Sequence, residues 1–127
     1  MKQLLAAIVI AVPAWLAGAA PLPGDPVRGA AIHERCLACH ALAYDRTGPR
    51  HCGLIGRRAG SVAGFGYSDA MRRSRRVWDA QTLDRFLANP LAAVPGTSMG
   101  YAGIADPQER ADLIAYLREV NASAKCR

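Results

Sequence analysis

The sequence predicts an all-α domain with long loops, and three observations carry that reading. Strand-like alternation of apolar and polar residues is missing from the chain, and so are internal repeats. A strong helix start, Asp106-Pro107-Gln108-Glu109, opens a run in which Leu113, Ile114, Leu117 and Val120 share one face. The pentapeptide Cys36-Leu37-Ala38-Cys39-His40 stands early in the chain, between a short helical run and a long Gly/Pro-broken stretch.

That pentapeptide is the C-x-x-C-H signature of covalent c-type haem attachment. Two thiols add to the two vinyl groups of haem, and the next residue offers an imidazole nitrogen to the iron. A thioredoxin-like dithiol would need a βαβ pattern around it, and none is visible. A zinc knuckle would need a second Cys/His pair at ligand spacing, whereas His51 and Cys52 are adjacent. The expected cofactor is one covalent haem c.

The 127 residues allow one small domain. Residues 1–19 read as a secretory signal: Lys2 is the charged start, Leu4 to Leu16 the apolar run, and Ala17-Gly18-Ala19 the small-x-small cleavage site. The run contains Pro13 and is well short of the roughly twenty residues a membrane span needs. Residues 20–127 are then the exported domain, with no stable membrane span after cleavage and the periplasm as its place. Formal charge is +6, nearly all of the positive charge being arginine. Such a charge suits nucleic acid, an acidic membrane or an acidic protein, and export argues against nucleic acid.

Taken in order, Asp25-Pro26 reads as N-cap and first helical residue, with Val27, Ala30, Ala31 and Arg35 at helical spacing after it. His33 in this run reads as a packing residue. Residues 41–61 form a loop, in which the Pro49 carbonyl can accept a bond from the His40 imidazole and fix its tautomer. Ser68 caps a short helix through Met71, and Arg72, Arg73, Arg75 and Arg76 form a basic cluster that reads as solvated surface. Asp79 caps a helix with Leu83, Phe86 and Leu87 on its apolar face, ending at Asn89-Pro90. Met99 lies in the loop after Pro95-Gly96, with no helical stripe to explain it; Met opposite His is a standard c-type pairing, and Met71 is the other candidate.

The order of these parts resembles class I cytochrome c, in the branch that includes mitochondrial cytochrome c and bacterial cytochrome c2. The resemblance rests on Thr47-Gly48-Pro49, Gly53 to Arg57, Gly64 to Ala70, Trp78, Asn89-Pro90, Val94 to Met99, Ala102 to Ile104 and Glu109 to Leu117, all in the family's order. It implies the small class I cytochrome c fold, helices and long loops wrapped around one covalent haem. It implies that Cys36 and Cys39 hold the haem, that His40 and Met99 are the axial ligands, and that the Pro49 carbonyl holds His40. Arg57, Tyr67 and Trp78 would serve the buried haem propionate, and Gly29 would let the first helix cross the last near Leu113 and Tyr116. The leftover pair, Cys52 and Cys126, could form a disulfide in an oxidising compartment, because in the family fold the end of the last helix returns near the proximal loop. Departures from the family are His33 in place of an aromatic residue, Phe86 in place of a tyrosine near the methionine, and Met71 in place of an asparagine near the haem. Leu91, Ala92 and Ser98 stand where the mitochondrial protein carries docking lysines.

The resemblance implies a soluble, monomeric one-electron carrier between redox partner proteins, a reductase and an oxidase or dehydrogenase, and not an enzyme. A dedicated electron-accepting subunit of one periplasmic dehydrogenase differs only in partner. A haem peroxidase or gas sensor would need an open iron position and a distal acid/base, for which His33 or His51 would have to serve.

Overall fold

A computed structural model describes residues 21–127, so the secretory signal expected at 1–19 lies outside the described residues. Five helices follow one another: α1 (Pro26–His33), α2 (Asp69–Arg73), α3 (Ala80–Ala88), α4 (Pro90–Ala93) and α5 (Pro107–Ala122). No strand is formed among the described residues; one isolated antiparallel bridge pairs Arg58 with Val77.

Each helix starts where a side chain takes up the amides that the first turn leaves without partners. The Asp25 carboxylate accepts from the Val27 and Arg28 amides, and Pro26 supplies the first helical residue. Ser68 caps α2 by accepting from Met71 N–H. Asp79 and Thr82 cap α3 reciprocally, each side chain bonding the other's amide. Asp106 accepts from Gln108 N–H at the head of α5. The expected stop at Asn89-Pro90 is also a start: Asn89 ends α3 in an extended conformation, and its side chain then caps α4 by accepting from Ala92 N–H. Proline is barred from a helix interior but suited to a first turn, so one dipeptide does both.

The apolar faces of α3 and α5 meet as expected. Leu83, Phe86 and Leu87 are buried, and so are Leu113, Ile114, Leu117 and Val120. Full burial of each Leu, Ile or Phe side chain contributes about 1.5–3 kcal/mol relative to exposure. Helix α1 differs from the expected stripe. Its buried residues are Gly29, Ile32 and His33, while Val27 is 79% exposed. The cause is the crossing with α5: a Cβ on Gly29 would overlap the Asp112 carbonyl oxygen and lie 2.7 Å from Tyr116 Cβ. The glycine face must therefore point at α5, which turns Val27 to solvent.

That crossing buries a carboxylate. Asp112 is 2% exposed. It accepts from Arg28 Nε at 2.8 Å, from the Asp25 amide at 2.8 Å and from Gln108 Nε2 at 2.9 Å. These bonds, the Arg28 one foremost, hold its carboxyl well below the usual carboxylate range. A group so depressed stabilises the fold fully above its unfolded pKa of about 4 and loses that contribution as pH falls below it. We expect thermal unfolding scans from pH 7 down to pH 2 to show a steep loss for the wild type. Asp112→Asn should be less stable at pH 7 and show a shallower loss. Parallel curves for the two proteins would contradict this role.

Candidate functional site

Beyond α1 the chain tightens into a 3₁₀ turn, Glu34–Cys36, and carries straight into the motif. The Cys39 and His40 amides donate to the Cys36 carbonyl at 3.1 and 2.9 Å, which curls the pentapeptide into one compact turn. Cys36, Cys39 and His40 then all line a single cavity of about 420 Å³. Neither thiol is bonded to another cysteine. Burial pushes the Cys36 thiol pKa up.

The loop after the motif is fastened back onto it. Gly48 N–H donates to the Cys39 carbonyl at 2.8 Å, and His51 N–H to the Ala41 carbonyl at 3.0 Å. Gly48 must be glycine for a local reason: a Cβ there would lie 2.6 Å from both ring nitrogens of His40. The loop thus lies flat on the imidazole. Pro49 follows, and its carbonyl accepts from His40 Nδ1 at 2.7 Å. With the proton on Nδ1, the lone pair is on Nε2, the atom free to bind a metal. Burial holds the His40 pKa below the ordinary histidine value, so the imidazole stays neutral as a ligand must.

The other expected residues share this cavity. Arg57, Tyr67, Trp78, Met71 and Met99 all line it. Trp78 packs on Phe86 with ring centroids 5.0 Å apart, and Tyr67 meets Phe65 edge to face at 4.7 Å. Met71 is buried on α2, while Met99 is partly buried in the loop before α5 and packs against the core. Thr97 Oγ1 accepts from the Met99 amide at 3.3 Å, which steadies that loop.

Arg57 tests whether haem fits. Its Nη atoms donate to the carbonyls of Cys52 and Arg50 at 3.2 and 3.0 Å. Its Nε is buried with no partner. Burial lowers the guanidinium pKa, so this is a cation whose charge is incompletely met. No Asp or Glu lines the cavity. An apolar chamber with two thiols, one imidazole lone pair, two thioethers and an unmet buried guanidinium fits a flat apolar macrocycle bearing carboxylates. Haem is such a group, and Arg57 would hold a propionate.

The structure brings Cys52 and Cys126 into bonding contact, with Cα atoms 5.1 Å apart. The basic cluster lies at the surface, with Arg72, Arg73 and Arg75 exposed. Arg72 and Arg73 lean on Asp69, and Arg76 turns to the Ala93 carbonyl. Sequence reasoning missed the surroundings of His51. It stacks on His40, and its Nδ1 lies 2.9 Å from His33 Nε2. These partners stand 18 residues apart, and no local pattern joins them.

A family model described as Cytochrome c matches residues 26–121. The chain is 45% identical over 120 residues to cytochrome c2 of Rhodomicrobium vannielii, a match covering 92% of this chain and 95% of that protein. It is 41% identical over 103 residues to cytochrome c-550 of Ancylobacter novellus, covering 76% of this chain and 96% of that one. Among solved structures, cytochrome cH from Methylobacterium extorquens superposes with a TM-score of 0.74 at 39% identity, over 76% of this chain and 99% of that one.

Proposed function

This chain belongs to the cytochrome c family, with that family's one covalent haem c, and we propose that it is a soluble one-electron carrier of the periplasm with histidine and methionine as iron ligands. Cys36 and Cys39 would carry the thioether links. His40 Nε2 and Met99 Sδ would be the chain's ligands to the iron. Bound haem supplies reversible one-electron chemistry at its iron.

The chain's own residues favour carrying over catalysis. Pro49 holds the His40 proton on Nδ1, Arg57 offsets a buried carboxylate, and the apolar walls exclude water. A low-dielectric chamber with a thioether ligand disfavours the extra charge of ferric iron and raises the potential. With His40 and Met99 both supplied by the chain as iron ligands, no ligand would have to be exchanged during electron transfer. The observation that carries this reading is where the two spare histidines lie. His51 stacks on His40 and His33 bonds His51, so both stand on the side of the proposed proximal ligand. Neither is placed to serve as the distal acid/base of a peroxidase. The exported chain, of formal charge +5 once Lys2 leaves with the signal (+6 less one), would meet acidic faces of its redox partners by charge-steered encounter.

Export is supported by the pattern of residues 1–19. Among the described residues no helix is long and apolar enough to cross a membrane. An oxidising compartment also suits a Cys52–Cys126 disulfide.

Met99→Ala tests the ligand set. The reduction potential should fall by on the order of 0.2 V, a fraction of the range that axial ligands govern. The weak far-red sulfur-to-iron band of the ferric protein should vanish, and cyanide should bind readily. Met71→Leu should keep the band and bind cyanide slowly. A band lost in Met71→Leu and kept in Met99→Ala would move the ligand to Met71.

A further inference from the structure

The chain has three histidines, and two of them form a stack and strut behind the third. The His51 ring lies on the His40 ring with centroids 4.3 Å apart and planes 24° from parallel. The edge of His51 is tied in turn, its Nδ1 being 2.9 Å from His33 Nε2. His33 is 3% exposed at the end of α1, its ring 5.0 Å from that of Tyr116 on α5. The chain of contact therefore runs from the α1–α5 crossing through two imidazoles to the residue that follows the two cysteines.

Burying two polar rings where aliphatic or phenyl groups would pack is unfavourable unless their nitrogens are met. Here one ring donates and the other accepts, which suits two neutral imidazoles. A three-histidine metal site is not the explanation. His40 Nδ1 is engaged by Pro49, and among the described residues no group of three or more His, Cys, Asp or Glu could hold a metal ion.

The Pro49 bond fixes one point on the His40 ring, and the Gly48 backbone lying against it leaves only a limited rocking about that line. A flat partner stacked on one face removes this freedom; a branched aliphatic side chain, being rounder, does not. The partner must itself be held flat, and the bond to His33 does that. We propose that His51, oriented by His33, is a positioning residue that sets the ring plane of His40. The proposal rests on the reading of His40 as the proximal haem ligand.

The test uses the full haem-loaded ferric protein. Proton NMR shifts of the four haem methyls and the EPR g-values report the orientation of the axial ligand planes. His51→Leu should change the order or spread of the methyl shifts while the far-red band is retained. His51→Asn, which keeps a nitrogen near the Nδ1 position but has no ring, should do the same. His33→Phe should move the pattern towards that of His51→Leu, and the double variant should go no further than His51→Leu alone. His33→Gln places an amide nitrogen near the Nε2 position and should restore the wild-type pattern. Wild-type methyl shifts in His51→Leu or His51→Asn would overturn the proposal, as would effects of His33→Phe and His51→Leu that simply add. Failure of the underlying reading would appear earlier, as a wild-type ferric spectrum without low-spin haem, and would overturn both.

Discussion

Replacing Cys36 and Cys39 together by alanine is expected to give a chain from which acid–acetone removes all haem and which, once haem-free, is largely unfolded. The first part follows from the thiols' position, both lining the cavity and neither bonded elsewhere. The second follows from size. A cavity of about 420 Å³ lies among Leu54, Trp78, Leu83, Phe86 and Leu113, all members of the hydrophobic core. Left empty and uncollapsed, it would cost roughly 10 kcal/mol at about 24 cal/mol per Å³. That is comparable to the whole stability of a small domain, about 5–15 kcal/mol. The unmet Arg57 Nε would also remain buried without a partner. Far-UV circular dichroism after haem extraction checks the outcome, with haem staining on a denaturing gel for the covalent link. Single variants should retain haem through one thioether and lose stability less. A haem-free double variant with the wild-type helical signal would show that the protein core, and not the cofactor, carries the fold.

What was legible in the sequence was whatever chemistry acts over a few residues. Cys36, Cys39 and His40 are neighbours, so their joint purpose is visible at once. Helix starts are equally local, and Asp25, Ser68, Asp79 and Asp106 all cap as their positions suggest. That Arg57, Tyr67 and Trp78 line one cavity was to be expected only through family resemblance, since no local spacing brings them together. What stayed hidden depends on distant pairs. Nothing local to Asp112, next to the apolar stripe of α5, marks it for burial, yet it is buried because Arg28, 84 residues earlier, reaches it. The Arg58–Val77 bridge is a single pair and leaves no periodicity. Helix α4 is one turn of Pro-Leu-Ala-Ala, too short for an apolar stripe, and only the Asn89 cap announces it. The run Arg72 to Arg76 reads as solvated surface, and Arg72, Arg73 and Arg75 are exposed; what the sequence did not show is that Arg75 adopts a positive φ of 54° and the chain turns there, sending its neighbours to different partners.

Thiol titration of the mature, haem-loaded protein, unfolded without reductant, should find no free thiol. Haem takes up Cys36 and Cys39, and the expected disulfide takes up Cys52 and Cys126. The backbone prepares that second pairing. Cys52 N–H donates to the Leu42 carbonyl at 2.8 Å, which pins the loop beside Pro49. The Asn121 side chain, in the last turn of α5, accepts from the Leu54 amide at 2.9 Å and ties that helix end to the same loop. Ser123 then breaks the helix in an extended conformation and caps a 3₁₀ turn, Ala124–Cys126, that brings the last cysteine back. The Cα separation of 5.1 Å falls inside the window of about 4.4–6.8 Å that a disulfide requires. The cysteines are 74 residues apart in sequence. For a loop that long, loss of unfolded-state entropy would stabilise the fold by at most about 4–5 kcal/mol. Covalent haem attachment would already restrict the unfolded chain locally, so the expected gain is below that ceiling, in the typical range of about 2–4 kcal/mol. Cys126→Ala should therefore lower the unfolding midpoint clearly while leaving the haem spectrum unchanged, since Cys126 lines no part of the large cavity. Two titratable thiols per chain with haem attached would rule the bridge out, and an unchanged midpoint in Cys126→Ala would show that it adds nothing to stability.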